Sequence, residues 1–344
     1  MRLHLWIVLL VISASAHAGR SRPSLKIVTS NFENLFDATH DIGKRDYTYL
    51  PLVVKEAMPE AKAFCETLGG FFRVECFTLD WTHEVVERKV ERISDIMTKV
   101  FAPQMPDVVV VQEVENMNAL SMVARAMGSR YQAVLIEGPD ERGIDTGFIT
   151  SLPILKTKLH EFPTQSGRPT RGILEMTVKA HRKKITIFAN HWPSQSNPDA
   201  DRMTAGETLL KLARAAKRSS DLVILAGDFN TALDDVQNAL DTFILPDFYD
   251  AEAEARSLGV PFAALASYSH RGVWHSLDHI FVMKGSRLVK QSDFTNVSIF
   301  TDNGRLIENY EFRGQQESRP LRYQPTTGLG FSDHLPVALE LKLK

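Results

Sequence analysis

Two patterns of hydrophobic spacing recur along the chain. Short runs rich in Val, Ile and Leu predict strands, whereas apolar residues at three- and four-residue steps predict helices. The predicted strands span residues 25–29, 108–111, 133–136, 147–150, 173–178, 185–189, 222–226, 280–283 and 337–341. The predicted helices span residues 84–100, 204–218 and, less distinctly, 118–127. Strands outnumber helices and do not alternate with them strictly, so we expect an α/β fold of two sheets packed face to face with helices outside, rather than a doubly wound parallel sheet.

The pattern gives no sign of separate domains. A length of 344 residues allows one large domain or two small ones, but no Pro-, Gly- or Ser-rich tract divides the predicted elements. Residues 37–81 carry only weak periodicity, which is typical of a long irregular connection. We therefore predict one domain over residues 19–344, with a loop-rich insertion at about 37–81.

The first 18 residues have the pattern of a secretory signal peptide. Arg2 precedes the apolar run Leu5–Ile12, and the segment ends in Ala16-His17-Ala18, which is a typical cleavage site. The apolar run is shorter than the ~20 residues that cross a bilayer, although an uncleaved N-terminal tether is an alternative. We expect cleavage after Ala18, a secreted or periplasmic location and no stable membrane association afterwards.

Composition bears on the charge of the surface and on the redox state of the two cysteines. The 44% hydrophobic content is ordinary for a globular protein. The formal net charge is −2, and −3 once Arg2 is removed, so no positive field spans the whole surface. Cys65 and Cys76 are the only cysteines, and in an oxidising compartment they are expected to form a disulfide. Two buried free thiols are the alternative, whereas the isolation of this pair argues against a zinc site.

Acidic and amide side chains collect where predicted strands end. Glu113 follows a run of four valines, and a carboxylate cannot stay in such a core without a partner. Asp228 and Asn230 follow the strand at 222–226 and, being two apart, point to the same side of an extended segment. An Asp there can activate a water while the Asn amide holds a phosphate oxygen. The alternatives are a helix N-terminal acid for Glu113 and an Asx turn at 228–230.

Two Asp-His dipeptides precede predicted strands, Asp278-His279 and Asp333-His334. A His that is hydrogen-bonded to an Asp has a fixed tautomer and a more basic far nitrogen, as a general base requires. We predict that Asp278 pairs with His334 and that His279 is a structural histidine. The candidate ligands are oxygen and imidazole with no thiolate, which favours Mg²⁺, with Mn²⁺ or Ca²⁺ as alternatives, over structural zinc.

Seven short motifs lie at or near the ends of the predicted elements. They are Asn31-Phe32-Glu33-Asn34-Leu35-Phe36, Gln112-Glu113-Val114-Glu115-Asn116, Arg142-Gly143-Ile144-Asp145, Asn190-His191-Trp192-Pro193-Ser194, Gly227-Asp228-Phe229-Asn230, Leu277-Asp278-His279 and Ser332-Asp333-His334. In this order they resemble the endonuclease/exonuclease/phosphatase superfamily, which includes pancreatic deoxyribonuclease and the AP endonucleases. Their form is most similar to exported bacterial members described as extracellular nucleases. The resemblance spans nearly the whole chain after the signal peptide.

This resemblance implies a fold and a set of roles. The fold is a four-layer α/β sandwich, in which two mixed, mainly antiparallel β-sheets pack face to face with helices outside. Glu113 and Asn31 would bind the catalytic metal, and Asp333 would bind the same ion or a second one. Asp228 would orient or deprotonate the attacking water, and Asn230 would hold the phosphate.

Further roles concern a histidine and two arginines. His191 matches the family histidine that contacts the scissile phosphate and, in the deoxyribonuclease-like branch, acts as an acid toward the leaving oxygen. Glu137 is the expected partner of His191 from its position in the chain. Arg142 and Arg171 are predicted phosphate contacts, because a guanidinium can bind two phosphate oxygens at once. Salt bridges within loops are the alternative for both.

We therefore expect a monomeric, metal-dependent hydrolase that cleaves nucleic acid, DNA or RNA, with an Asp-activated water. Thr231 stands where relatives often carry Asp, and residues 146–151 replace an aliphatic run that ends in Arg, so the substrate contacts stay open. The alternatives are a phosphatase or a phospholipid phosphodiesterase of the same superfamily, and a catalytically inactive binding module. No clear aromatic hairpin of the kind expected in a sphingomyelinase is present in the sequence.

Overall fold

A computed structural model describes residues 22–232, 235–261 and 265–344, so the predicted signal peptide at 1–18 lies outside the described residues. The helices are α1 (Leu52–Ala57), α2 (Pro59–Thr67), α3 (Gly70–Thr78), α4 (His83–Lys99), α5 (Met117–Met127), α6 (Asp199–Ala216) and α7 (Ala251–Ser257). The strands are β1 (Ser24–Leu35), β2 (Val108–Val114), β3 (Gln132–Leu135), β4 (Asp145–Thr150), β5 (Ile154–His160), β6 (Ile173–Ala180), β7 (Lys183–His191), β8 (Leu222–Asp228), β9 (Phe248–Asp250), β10 (Tyr268–His270), β11 (Val273–His275), β12 (Asp278–Met283), β13 (Phe294–Ile299), β14 (Ile307–Phe312), β15 (Gln315–Pro320) and β16 (Val337–Lys342). Across the described ranges, no helix combines the length and the apolar character needed to pass through a membrane.

Most of these strands form two six-stranded sheets of similar design. The first sheet has the order β13-β16-β1-β2-β4-β3, and the second has the order β5-β6-β7-β8-β12-β9. Each sheet contains one parallel central pair, β1 with β2 and β7 with β8, while the other neighbours are antiparallel. The remaining strands form two separate hairpins, β10-β11 and β14-β15. The prediction of two mixed, mainly antiparallel sheets is confirmed.

The four-layer order follows from the alternation of side chains along the central strands. In β2, Val109 and Val111 belong to the core that includes α4 and α5, whereas Val108 and Val110 belong to the core between the sheets. Successive residues of β8 alternate in the same way between the first sheet and α6. Because side chains in a strand point to opposite faces in turn, a continuous apolar run is buried on both faces. The two sheets are therefore enclosed between two helical layers.

The observed helices lie close to the predicted ones. Helices α4 and α5 begin and end within one residue of their expected bounds, because both begin at a capping side chain: Thr82 accepts from the Val85 N–H and Asn116 accepts from the Ala119 N–H. Helix α6 starts earlier than expected, directly after Pro198.

Residues 37–81 differ from the loop-rich expectation. Helices α1, α2 and α3 fill much of this segment, and each buries at most two side chains. Their shallow burial explains why the sequence shows so little periodicity there. A disulfide joins Cys65 of α2 to Cys76 of α3, with Cα atoms 5.5 Å apart, and Lys55 Nζ donates to the Cys76 carbonyl at 2.8 Å. A covalent link and a buried lysine thus hold a segment that has little core of its own.

Candidate active site

The ends of the two parallel strand pairs meet at one edge of the sandwich. In the second sheet, β7 and β8 end with His191 opposite Asp228, and β12 begins with Asp278, which is also opposite Asp228. In the first sheet, the regular pairing of β1 with β2 stops at Asn31, where β2 reaches Glu113. Sites in α/β folds form at the carboxyl ends of parallel strands. Strand direction therefore explains how residues from distant motifs converge.

Gly227 allows β8 to end close against β7. Its φ is +143°, and a Cβ atom at this position would lie 2.0 Å from the carbonyl oxygen of Asn190. No side chain fits at such a distance, so only glycine is compatible with this approach. Any larger residue would move the end of β8, and Asp228 with it, away from His191.

Glu113 lies at an irregularity of β2. The register with β4 shifts between Gln112 and Val114, and Glu113 has a φ of 58°. A bulge of this kind redirects a side chain, and Glu113 is half-buried while both its neighbours are buried. Its Oε2 accepts a hydrogen bond from the backbone N–H of Asn34 at 3.1 Å. The residue that caps the following helix is Asn116, so Glu113 is not a helix-capping acid.

Asp278 and His334 form a hydrogen-bonded pair. His334 Nδ1 lies 2.7 Å from Asp278 Oδ2, and Ser267 Oγ donates to the same oxygen at 2.6 Å. The ring of Tyr268 packs against that of His334, with centroids 4.7 Å apart. Burial by itself lowers the pKa of His334, but the carboxylates of Asp278 and Asp228 outweigh burial and raise this pKa well above its ordinary value. These two carboxylates therefore favour the protonated form of His334.

Asp228 lies between two histidines. Its Oδ2 is 3.7 Å from His191 Nε2 and 3.9 Å from His334 Nε2, and its Oδ1 accepts from the backbone N–H of Asn230 at 2.9 Å. Burial raises the pKa of Asp228 from 3.8 to about 7; His334 opposes this rise and Asp278 adds to it. A carboxylate that titrates near neutral pH is suited to take a proton from water.

The neighbouring motif residues hold Asp228 and Asn230 in place. The Asn230 side chain donates to the Trp192 carbonyl at 3.1 Å, and the Trp192 indole donates to Asn190 Oδ1 at 3.2 Å. The ring of Phe229 meets that of Trp192 edge-on, with centroids 4.9 Å apart. Asn190 is fully buried, so it supports the site from behind. An amide group carries two donor hydrogens, so the bond to Trp192 uses one of the two on Asn230.

Arg171, rather than Glu137, contacts His191. Arg171 Nη2 approaches both ring nitrogens, 3.2 Å from Nδ1 and 2.7 Å from Nε2, and Nη1 lies 3.6 Å from Asp140 Oδ2. Glu137 is exposed, because the turn after β3 carries Asp140 inward instead, so the interpretation of Glu137 as a partner was wrong. Burial, followed by the charges of Arg171 and Arg142, lowers the pKa of His191 well below its ordinary value. His191 is therefore neutral.

The two predicted phosphate-binding arginines differ in exposure. Arg142 pairs with Asp140, with Nη2 3.2 Å from Oδ2, yet its side chain stays 54% exposed. The Arg171 side chain is only 9% exposed. Arg142 is therefore accessible from solvent, whereas Arg171 is buried against His191 and Asp140.

The three predicted metal ligands supply oxygen donors at the same edge. Glu113 Oε1 lies 3.9 Å from His191 Nε2. Asn31 Nδ2 and Asp333 Oδ1 are buried without a hydrogen-bond partner in the described part of the chain. Asn31 Oδ1 accepts from the backbone N–H of Glu33 at 2.8 Å and keeps a second lone pair for a metal ion. Carboxylate and amide oxygens are the ligands of hard divalent cations. These residues therefore fit a metal ion of the magnesium type.

A second group of possible ligands lies directly beside them. One atom each from Asp228, Asp278 and His334 lies within 4.8 Å of the others, and all three residues are buried. The site thus has acidic groups on both sides of the cleft between the sheets.

Three charged residues near the site were not predicted as functional. Arg322 Nε hydrogen-bonds to Glu33 Oε1, and Arg322 Nη2 lies 3.9 Å from Asp333 Oδ2. Lys89 Nζ donates to the Glu33 carbonyl at 2.6 Å and is buried between two aromatic rings. Lys89 could have been noticed, since it is a charge on the apolar stripe of α4, four residues before Ile93. Arg322 carries no local signal.

Known proteins resemble this chain in sequence, through one family, and in fold, through several solved structures. Residues 74–343, more than half of the chain, match the Endonuclease/Exonuclease/phosphatase family, although no curated protein sequence matches. TDP2 from Caenorhabditis elegans has a TM-score of 0.58 at 13% identity, over 93% of this chain and 74% of that chain. An endonuclease/exonuclease/phosphatase family protein from Bacteroides thetaiotaomicron has a TM-score of 0.54 at 15% identity, over 93% and 98%.

A further solved structure has a nucleic acid bound. It is D. rerio TDP2 complexed with single strand DNA product, with a TM-score of 0.52 at 16% identity, over 92% of this chain and 98% of that chain. Identities this low show the fold alone. The assignment to a family comes from the family match, and the acidic groups at the strand ends are able to hold a metal ion. The chain belongs to the endonuclease/exonuclease/phosphatase family, whose members are phosphoester hydrolases that use divalent metal ions.

Proposed function

We propose that the protein is a divalent-metal-dependent phosphodiesterase that cleaves nucleic acid, with DNA as the substrate, RNA as the alternative and Mg²⁺ as the metal. One observation carries the choice of a polymer as substrate. A groove lies beside each of the two site histidines, one lined by arginines and the other by aromatic rings. A phosphomonoester needs one phosphate site, whereas a polynucleotide extends to both sides of the bond that is cut.

The arginine groove adjoins His191 and has a volume of about 600 Å³. Its arginines are Arg45, Arg142, Arg168 and Arg171. Two of them keep exposed side chains while each pairs with a carboxylate of the same groove: Arg142 is 54% exposed and pairs with Asp140, and Arg45 is 60% exposed and pairs with Glu141. Phosphates of the backbone bind to such positive charges without regard to sequence. This groove suits the nucleotides on one side of the scissile phosphate.

The aromatic groove adjoins His334 and has a volume of about 270 Å³. It is lined by Tyr268, Tyr310, Phe312, Arg319 and Arg322, among others. The guanidinium of Arg319 lies 4.4 Å from the centre of the Tyr310 ring. Aromatic rings and arginines side by side are typical of surfaces on which unpaired bases stack. This groove suits bases of a single-stranded or frayed end.

The residues of the site divide the reaction among them. A bound divalent ion would neutralise phosphate charge as the new bond forms. Asp228 takes a proton from the attacking water, and Asn230 donates to a phosphate oxygen. His334, kept charged by Asp278, stabilises the negative charge that develops. His191 is neutral and its Nδ1 accepts a hydrogen bond from Arg171 Nε at 3.3 Å, so we do not assign it the role of a proton-donating acid.

The neighbour that carries single strand DNA product supports nucleic acid as the substrate class. We also propose that the protein is exported after cleavage behind Ala18 and acts as a monomer. The disulfide between Cys65 and Cys76 is in keeping with an oxidising compartment. N-terminal sequencing of protein recovered outside the cytoplasm tests the cleavage, and light scattering tests the monomer.

A cleavage assay on the purified protein tests the function. Supercoiled plasmid, single-stranded DNA, RNA and a chromogenic phosphomonoester are each incubated with Mg²⁺, Mn²⁺, Ca²⁺ or chelator. We expect plasmid nicking that needs Mg²⁺ or Mn²⁺ and that is lost in Asp228→Asn. The matched control is Asp247→Asn, a surface carboxylate paired with Arg214. Cleavage of the phosphomonoester but of no polynucleotide would refute the nuclease.

A second function is favoured by one feature of the surface. Phe71 and Phe72 of α3 are each 66% exposed, and Val74 beside them is 60% exposed. Such apolar side chains can enter a membrane surface, which favours a phospholipid phosphodiesterase. Hydrolysis of sphingomyelin vesicles that falls in Phe71→Ser with Phe72→Ser, with nicking of plasmid unchanged, would support it. Absence of vesicle hydrolysis would leave nucleic acid as the substrate.

A further inference from the structure

A second cluster of carboxylates and a histidine lies on the other face of β12. His279 follows Asp278 directly, so its side chain points to the opposite side of the sheet. There it meets Asp250 at the end of β9 and Glu252 in α7. We propose that Asp250, Glu252 and His279 form a structural metal site for a divalent ion that takes mixed nitrogen and oxygen ligands, such as Zn²⁺.

The distances match ligands of one ion better than hydrogen bonds. His279 Nδ1 lies 3.6 Å from Asp250 Oδ1 and 3.7 Å from Glu252 Oε2, and one ligand atom from each of the three residues lies within 4.8 Å of the other two. Two ligands about 2.1 Å from a tetrahedral ion lie about 3.4 Å apart. A charged N–H···O hydrogen bond is about 2.7–2.9 Å long. The gap between the three atoms is thus the size that an ion fills.

The tautomer of His279 leaves a free lone pair at this gap. His279 Nε2 lies 3.2 Å from the carbonyl oxygen of Ser276, and a carbonyl can only accept, so Nε2 carries the proton. Nδ1 is buried and has no hydrogen-bond partner among the described residues. Histidines that bind metals usually donate their other ring nitrogen to a carbonyl or carboxylate in this way. Nδ1 is therefore presented as a ligand.

The cluster is shielded from water and held rigidly. The side chains of His279, Asp250 and Glu252 are 6%, 9% and 7% exposed. The Phe281 ring stacks on His279 with centroids 5.1 Å apart, and Phe229 meets it edge-on at 6.0 Å. The aromatic contacts fix the ring plane, so Nδ1 stays aimed between the two carboxylates.

Charge in the cluster also favours a cation. Asp250 and Glu252 are both buried, and buried charges require partners. Arg256 Nη2 lies 2.9 Å from Oε1 of Glu252, and Ser276 Oγ donates to Oε2 of the same carboxylate. Asp250 Oδ1 accepts from the backbone N–H of Glu252 at 3.0 Å. A carboxylate oxygen with one such bond keeps a further lone pair, and these lone pairs are available on the side of His279.

Such an ion would tie β9, α7 and β12 together on the side of the second sheet away from the reacting groups. It would stabilise the fold and leave the chemistry of phosphate to the other face. The inference rests on this geometry alone and does not depend on the proposed substrate.

Zinc binding to the untagged full chain tests the site. Glu113→Gln is used as background, because it weakens the predicted catalytic metal site, and chelator-stripped protein is titrated with ZnCl₂ by calorimetry. We expect one Zn²⁺ per chain to be lost when His279→Gln is added, with an affinity drop of more than about 100-fold, since a direct ligand matters more than an outer partner. Zinc should also raise the unfolding midpoint by about 5 °C only when His279 is intact.

The matched control is His160→Gln. His160 Nε2 hydrogen-bonds to Glu175 at 2.7 Å, so this variant removes a histidine–carboxylate pair that leaves no gap, and zinc binding should not change. X-ray absorption of zinc-loaded Glu113→Gln protein reads the ligands directly, even if His279→Gln folds poorly, and one imidazole is expected. Zinc binding unchanged by His279→Gln, or a shell without imidazole, would show that the cluster is an ion-pair network.

Discussion

Neighbouring residues of β12 serve two buried clusters that differ in spacing. Asp278 faces the cleft, where His334 Nδ1 lies 2.7 Å from its carboxylate. His279 faces the outer helix layer, where its Nδ1 lies 3.6 Å and 3.7 Å from two carboxylates. Both clusters are made of the same residue types. The comparison teaches that distance, not composition, separates a hydrogen-bonded pair that controls a proton from a gap that an ion can fill.

The surroundings of the clusters differ in the same sense. The inner cluster opens onto grooves lined by arginines and aromatic residues, whereas the outer one is closed by Phe229 and Phe281. A reacting group must reach substrate, but a structural ion needs only its ligands. We therefore expect variants of the inner cluster to change activity and variants of the outer cluster to change stability.

The largest effect is expected from paired substitutions of the two carboxylates. Asp228→Asn should lower kcat by about 10²–10⁴-fold, because a positioned general base contributes that much. Asp250→Asn should keep kcat within about threefold of the unchanged protein, since it touches no reacting group and changes binding of a structural ion. Single-turnover plasmid nicking in Mg²⁺ measures both, with circular dichroism as the check on folding. Equal losses in the two variants would erase the distinction between the clusters.

A double-mutant cycle compares the two histidine–carboxylate pairs without any metal. The coupling free energy between Asp278→Asn and His334→Asn should be about 1.5–3 kcal/mol, as for a hydrogen bond to a charged group. The pair Asp250→Asn and His279→Asn should couple more weakly than the inner pair in chelator, because His279 Nδ1 and Asp250 Oδ1 lie 3.6 Å apart, beyond the length of a normal hydrogen bond. Urea unfolding at pH 7 measures both values. A stronger coupling in the outer pair would mean that Asp250 and His279 form a hydrogen-bonded ion pair rather than a metal site.

The smallest effect is expected from pH. Burial raises the pKa of Asp228 from 3.8 to about 7, and only the ionised carboxylate can take a proton from water. kcat/KM should therefore fall as the pH drops below about 7, by about tenfold per unit at most. Added positive charge from a bound ion should move this limb to lower pH as the Mg²⁺ concentration rises. A limb that is absent, or that also appears in Asp228→Asn, would contradict the assignment of Asp228 as the base.

The fold could be predicted where strands are buried on both faces. The nine predicted strands all occur in the structure, because runs such as the valines of β2 leave little choice but a central strand. Strands β14 and β15 were missed, since all their residues except Pro320 are half-buried or exposed. Helices α1 to α3 were missed for the same reason. Elements that bury few side chains have only a weak pattern of hydrophobic residues in the sequence.

The candidate site could be predicted where a residue lies in a motif at a strand end. Asp228 and Asp278 are examples, because strand direction carries them to one edge. The contact of Arg171 with His191 could not be predicted. It depends on the conformation of residues 138–144, which determines the side chains that surround His191. Arg322 comes from a segment without regular structure next to β15, and its contact with Glu33 depends on folding of the whole chain.

The alternation of Asp278 and His279 has a consequence for how the gene can change. Because side chains repeat every two residues, sliding β12 by one position would exchange the faces of these two residues and empty both clusters at once. In genetic terms, loss of a single codon just before this strand should be more damaging than most substitutions within it. Loss of two codons would restore the facing, though not the neighbours. The pairing register of β12 thus constrains both clusters together.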